Sequence, residues 1–137
     1  MCREAGLRFC GPKVLSPLAW AVEDGAERML LLQQGQELLS NGAVGHNHLW
    51  FYRDAIEAML EMRNFGAVLD YAAALEGYTR AEPLPWAQLF AARGRVLSRA
   101  LEQSCDDTML RELARIQGEL ETAGYVAFLS AVQAAVP

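Results

Sequence analysis

At 137 residues the chain has the size of one ordinary domain, long enough to bury a core. A composition that is 53% hydrophobic and 21% charged excludes a disordered polymer, and a formal net charge of −5 argues against a surface built to neutralise a nucleic-acid backbone. With only five prolines, abundant alanine and no alternating runs of Val or Ile, the chain is expected to be all-α.

The opening, MCREAGLRFCGPK, carries charge in its first four residues and lacks the apolar core of a signal peptide. The most apolar stretch, VLSPLAWAV, is too short to span a membrane and is broken by Ser16-Pro17. Both features favour a cytoplasmic protein that does not engage a membrane. CREAGLRF reads as a turn or two of helix that packs on a preceding one, so the chain is expected to be the C-terminal part of a longer array. Cys2, Cys10 and Cys105 are odd in number and not spaced as a redox or zinc pair, which suits reduced thiols.

Ser16 before Pro17 predicts a cap and a first helical residue, with a short helix to about Glu23. Asp24, with Glu27 three residues on, starts the next helix, and Asn41-Gly42 stops it. A helix follows from about Asn47 to Met62, with Asn47 as its cap. Asn64 caps the next, where Phe65, Val68, Leu69, Ala72 and Leu75 keep helical spacing. Pro85 opens a helix through about Gln103, and Ser104 with Asp107 opens another with Met109, Leu113, Ile116 and Leu120 as its apolar stripe. Gly124 ends it, and a final amphipathic helix is expected to show Val126, Leu129, Val132 and Val136 on one side.

Short connections make these helices antiparallel hairpins, at roughly 14–41, 46–80 and 84–123, with a final helix over 124–136. The second members recur about every forty residues, the period of a helical-hairpin repeat array. The expected architecture is therefore a single domain of about three stacked hairpins, tetratricopeptide-like. In that register Phe90, Gly94 and Leu97 fit a large–small–large pattern, with Gly94 allowing close helix approach. Tyr52, Ile56 and Met59 take the same places one unit earlier, with Val68, Ala72 and Leu75 on the second helix.

GHNH, residues 45–48, is the stretch most suggestive of chemistry. Two histidines two positions apart on a helix point to different sides, and the positive end of the helix dipole disfavours a cation there. Asn47 capping, with the imidazoles packed over the turn, is the simpler expectation. Gly45 leaves open a loop that would converge them as a metal or small-molecule sensor over residues 46–52. No phosphate loop, dinucleotide fingerprint or nucleophile elbow is present. No catalytic, cofactor-binding or metal-ligating residue is assigned, and an enzyme is not expected. The basic trio Arg93, Arg95 and Arg99 reads as a solvated helix face.

The stretches GAVGHNHLWFYRDAIEAML and YAAALEGYTRAEPLPWAQLFAARGRVLSRAL, above all RAEPLPW with ARGR after it, resemble the C-terminal tetratricopeptide-like tail of bacterial signalling proteins. In that family a class III adenylate/guanylate cyclase domain precedes an ATPase module and the tail. The resemblance covers roughly residues 3 to 130 and implies a signalling scaffold. The family's catalytic and nucleotide-binding motifs belong to modules that this sequence does not contain.

The leading expectation is a non-catalytic scaffold that binds a protein partner or its own upstream domains. First helices of such arrays line a concave surface, which here would carry Trp50, Arg53 and Glu57 in one unit and Gln88, Arg95 and Ser98 in the next. Self-association as a homodimer is the alternative, through an apolar end made by Leu7, Phe9, Leu18 and Trp20.

Overall fold

In a computed structural model, which describes residues 2–103 and 105–136, the chain is all-helical. The side chains of Cys2 and Leu7, and Ser104 altogether, lie outside the described residues. Among the described residues seven α-helices run in order: α1 (Cys2–Ala21), α2 (Gly25–Ser40), α3 (His46–Glu61), α4 (Phe65–Tyr78), α5 (Pro85–Glu102), α6 (Asp107–Ala123) and α7 (Leu129–Ala134). A 3-10 turn, Val126–Phe128, precedes α7, and the described residues contain no strand. No described helix is long and apolar enough to cross a membrane.

Most boundaries follow the expected chemistry. The Asp24 carboxylate accepts the Glu27 N–H at 2.7 Å, and Asn64 Oδ1 accepts the Ala67 N–H at 3.3 Å, so each satisfies one orphan donor of a first helical turn. Pro85 occupies the first turn of α5. Gly42 and Gly124 take the left-handed conformation, with φ of 86° and 77°, just beyond α2 and α6. The N-cap of α6 is Asp106, whose carboxylate accepts the Met109 N–H at 2.8 Å.

The first third departs from expectation. Helix α1 runs unbroken through both Pro12 and Pro17, so Ser16 is interior to it and caps nothing. A proline inside a helix removes a ladder bond and crowds the carbonyl four residues back. Beside Pro12 the backbone is braced from outside. Lys13 N–H donates to Asn47 Oδ1 at 3.3 Å, and Asn47 Nδ2 donates to the Phe9 carbonyl at 2.9 Å. Lys13 and Phe9 are the two residues that an ideal ladder joins, and the Asn47 amide bridges them. Asn47 is fully buried in this role, and Gly45 rather than Asn47 holds the N-cap of α3.

Consecutive helices pack as neighbours, and α3 also touches both α1 and α5, an arrangement compatible with a stacked hairpin array. The core is one cluster that includes Phe51, Ile56, Met59, Val68, Leu75, Phe90, Leu97 and the stripe Met109, Leu113, Ile116 and Leu120. Tyr52, placed in the core by the repeat register, is only half-buried, and Leu69 faces outward while Tyr71 takes its place. In the C-terminal segment Val132 is buried, whereas Val126 and Val136 are exposed, so no continuous apolar stripe forms there.

Two glycines set the helix separations. A Cβ on Gly94 would lie 2.9 Å from Ile56 Cγ2 and 3.3 Å from Val68 Cγ1, so α5 meets both α3 and α4 at this point. On α2, a Cβ on Gly35 would lie 2.2 Å from Cε2 of the fully buried Phe51 ring. Gly118 has nothing within 4 Å of that position. Denaturant melts should therefore show Gly35→Ala destabilised by about 1–3 kcal/mol through overpacking. Gly118→Ala should be stabilised by about 0.5–1 kcal/mol through helix propensity alone. Equal effects at the two sites would contradict this packing.

Candidate functional site: the inner face of the first helices

Helices α1, α3 and α5 share one face, and the side chains that meet there come from all three. At its centre is Arg93 on α5, 1% exposed and first among the largest fully buried side chains. Its Nη1 donates to the Glu57 carboxylate of α3, and its Nε donates to the Phe128 carbonyl at 3.2 Å. Burial pushes the Glu57 carboxyl above its ordinary range, against the opposing pull of the Arg93 charge and hydrogen bond and of the Arg53 charge. A buried guanidinium needs acceptors, and here a carboxylate takes a hydrogen bond from Nη1 and a backbone carbonyl one from Nε.

The end of α1 is fixed by a second arginine. Arg28 Nη2 donates to the carbonyls of Trp20 and Val22 at 3.3 and 2.7 Å, and Nη1 donates to the Ala58 carbonyl of α3 at 3.2 Å. One cation thus serves the C-terminal carbonyls of two helices, where the dipole favours positive charge. Glu61 completes the cluster. It lies 3.1 Å from Arg28 and accepts the Trp20 indole N–H at 2.6 Å. This orients the Trp20 ring over the inner face, where it stacks on Phe128 at 6.0 Å between centroids.

A chain of rings continues from there. Phe128 meets Phe90 edge-on at 4.8 Å, Phe90 meets Trp86 at 5.1 Å, and Trp86 meets Trp50 at 5.6 Å. Arg53 lies 4.7 Å from the Trp50 ring centre and 5.7 Å from that of Phe128, linking the two ends. It is held there by Asp54, whose Oδ1 accepts from Arg53 Nε at 2.8 Å and whose Oδ2 accepts the Ser16 hydroxyl at 2.9 Å. This is the position that Ser16 fills instead of a helix cap. Beside Trp50 and Trp86 a cleft of about 330 Å³ opens, also lined by Leu49, Leu84, Pro85 and Tyr125.

The six residues expected to form a groove do not converge. Trp50, Arg53 and Glu57 share the inner face. Gln88 is exposed beside α4, Arg95 binds the Glu76 carboxylate of α4 through both terminal nitrogens, and Ser98 is buried with its hydroxyl donating to the Gly94 carbonyl at 2.9 Å. The register assigned these three to the wrong side of α5. Nor do Arg93, Arg95 and Arg99 form a solvated face: each finds a carboxylate on a different helix, Glu57 on α3, Glu76 on α4 and Glu112 on α6. The residues missed were Arg93, Trp86 and Phe128. Spacing offered one signal for the Glu57–Arg93 pair, since Glu57 sits one residue after the expected core position Ile56 and Arg93 one residue before Gly94.

The histidines diverge. His46 is exposed and meets the Phe9 ring of α1 edge-on at 5.8 Å, whereas His48 stacks on Tyr78 of α4 at 4.3 Å and 8°. Among the described residues, no group of three His, Cys, Asp or Glu side chains is placed to hold a metal ion. His48 Nδ1 is buried without a hydrogen-bond partner among the described residues, and burial lowers the pKa of the ring. Its unfolded counterpart titrates near 6.5, so the unfolded state binds the proton more readily. This contribution to stability is therefore complete above that value and is lost as pH falls through the lower native one. The stability difference between the native chain and His48→Phe should shift in favour of the variant on acidification from pH 7. A pH-independent difference would contradict it.

Arg93→Met should cost about 3–5 kcal/mol, because Glu57 is left buried and unpaired. Adding Glu57→Leu should recover much of that loss. A double-mutant cycle showing simple additivity would mean that the two charges do not act as a pair.

No protein-family model, curated protein or solved structure matches the chain.

Proposed function

We propose that the chain is a non-catalytic helical scaffold that binds another protein through the inner face of α1, α3 and α5, as tetratricopeptide-like arrays do. The observation that carries this reading is the half-exposed pair Trp50 and Trp86, flanked by Arg53 and opening onto an apolar cleft. Trp and Arg dominate binding energetics at protein interfaces, because each offers large contact area together with a polar handle. Arg53 is already oriented by Asp54, so little side-chain entropy is lost when a ligand docks. The likeness to the tail of cyclase–ATPase signalling proteins agrees with a cytoplasmic scaffold whose partner is another protein or an upstream domain.

Panning a displayed peptide library against the full chain tests this reading. Enriched peptides should bind at least tenfold more weakly to Trp50→Ala and to Arg53→Ala, measured at a temperature at which circular dichroism shows each variant folded, since Arg53→Ala also leaves the buried Asp54 carboxylate without its guanidinium. Failure to enrich any peptide, or equal binding by both variants, would sink it.

Self-association is a second reading with its own observation. Phe9, Val14 and Leu18 on α1 are 61%, 57% and 46% exposed, a large apolar display on one terminal helix. Sedimentation velocity should then show a concentration-dependent dimer that Val14→Glu with Leu18→Glu abolishes. A concentration-independent monomer would remove this reading.

A further inference from the structure

The segment after Gly124 lies on the face that the scaffold reading assigns to a partner. Phe128 is held between Trp20 and Phe90, with the guanidinium groups of Arg53 and Arg93 at 5.7 and 5.4 Å from its ring centre. Its carbonyl takes a hydrogen bond from Arg93. Rings and cations from three successive first helices therefore converge on one side chain of the C-terminal segment.

The rest of that segment packs on the core through Leu129, Val132 and Ala135. Helix α7 has six residues, of which only Val132 is buried. Beneath it remains a cleft of about 300 Å³, with Glu57, Arg93 and Leu97 on one side and the small side chains of Ala127, Ala131 and Ala134 on the other. Alanines leave this space unfilled, and a gap forfeits the dispersion contacts that larger side chains would make. Gly124, in its left-handed conformation, is the joint from which the segment departs. A well-made anchor seat is thus combined with a follower whose alanines leave a cleft open.

We propose that the Phe128 seat is a peptide-binding site occupied in this structure by the chain's own C-terminal segment. Its partner is a peptide that presents an aromatic residue at the Phe128 position, followed by a helical turn with larger apolar residues in place of Ala131 and Ala134. The aromatic ring replaces Phe128 between Trp20 and Phe90. A backbone carbonyl of the partner accepts from Arg93, and the larger apolar residues fill the cleft that the alanines leave. The tail is then a built-in competitor, and binding requires its release. This inference rests on the scaffold reading and names the part of the inner face that the partner takes.

The test uses the full chain carrying Phe128→Ala and a fluorescent synthetic peptide of residues 125–136. The variant should keep its helicity and bind the peptide at least tenfold more tightly than the unsubstituted chain, whose seat is filled. The same peptide with Phe128→Ala should not bind, and one with Ala131→Leu should bind at least threefold more tightly than the parent. Equal affinity for both chains, no binding to the variant, or weaker binding of the leucine peptide would overturn the proposal. Should the variant lose its helicity, hydrogen exchange on the unsubstituted chain decides. Amides of α7 should exchange at least tenfold faster than those of α5, and equal protection would make the tail an integral part of the core. Library peptides that depend on Trp50 but do not compete with the tail peptide would leave the scaffold reading standing while this one fails.

Discussion

A positive charge in the middle of a helical core constrains everything around it. Arg93 has almost no access to water, so its guanidinium must find acceptors inside the chain. Glu57 supplies one from α3 and the Phe128 carbonyl another from the C-terminal segment. Because those acceptors come from distant parts of the chain, satisfying one side chain fixes the relative placement of α3, α5 and the tail. An apolar residue at the same place would tolerate sliding of a helix by a fraction of a turn, whereas a paired charge does not. Arg28 plays a comparable part where the carbonyls ending α1 and α3 come to one guanidinium. Aromatic rings lie beside both arginines, Trp20 next to Arg28 and Phe128 next to Arg93.

Helix boundaries were legible in the sequence where a local rule governs them. Asp24, Asn64, Pro85 and Gly124 act within one turn of themselves, and each sits where local chemistry puts it. The apolar stripe of α6 was equally legible, because its four buried residues keep helical spacing on a helix with a polar opposite side. What sequence could not show are tasks carried out across long separations. Ser16-Pro17 has the local chemistry of a helix start. The Ser16 hydroxyl is taken by Asp54, thirty-eight residues away, and the proline is tolerated inside a helix held by its neighbours. Asn47 has the local chemistry of a cap and instead serves the backbone of another helix.

The candidate site was half legible for the same reason. Trp50, Arg53 and Glu57 follow from helical spacing once α3 is recognised. On α5 the same procedure chose Gln88, Arg95 and Ser98. The charged residues of that helix are divided among three neighbouring helices, so no local pattern marks the one that turns inward. Phe128 was missed because the segment after Gly124 was expected to be a regular amphipathic helix. Instead a 3-10 turn rotates Val126 out and brings Phe128 in.

The bridge made by Asn47 ties together two helices that are far apart in the chain. The amide that spans Lys13 and Phe9 belongs to α3, thirty-four residues after Lys13. Helix α1 carries two prolines, and the backbone beside Pro12 is braced by an amide from another helix. Substitution of Asn47 therefore acts on two helices at once, on α1, whose backbone its amide braces, and on α3, to which it belongs.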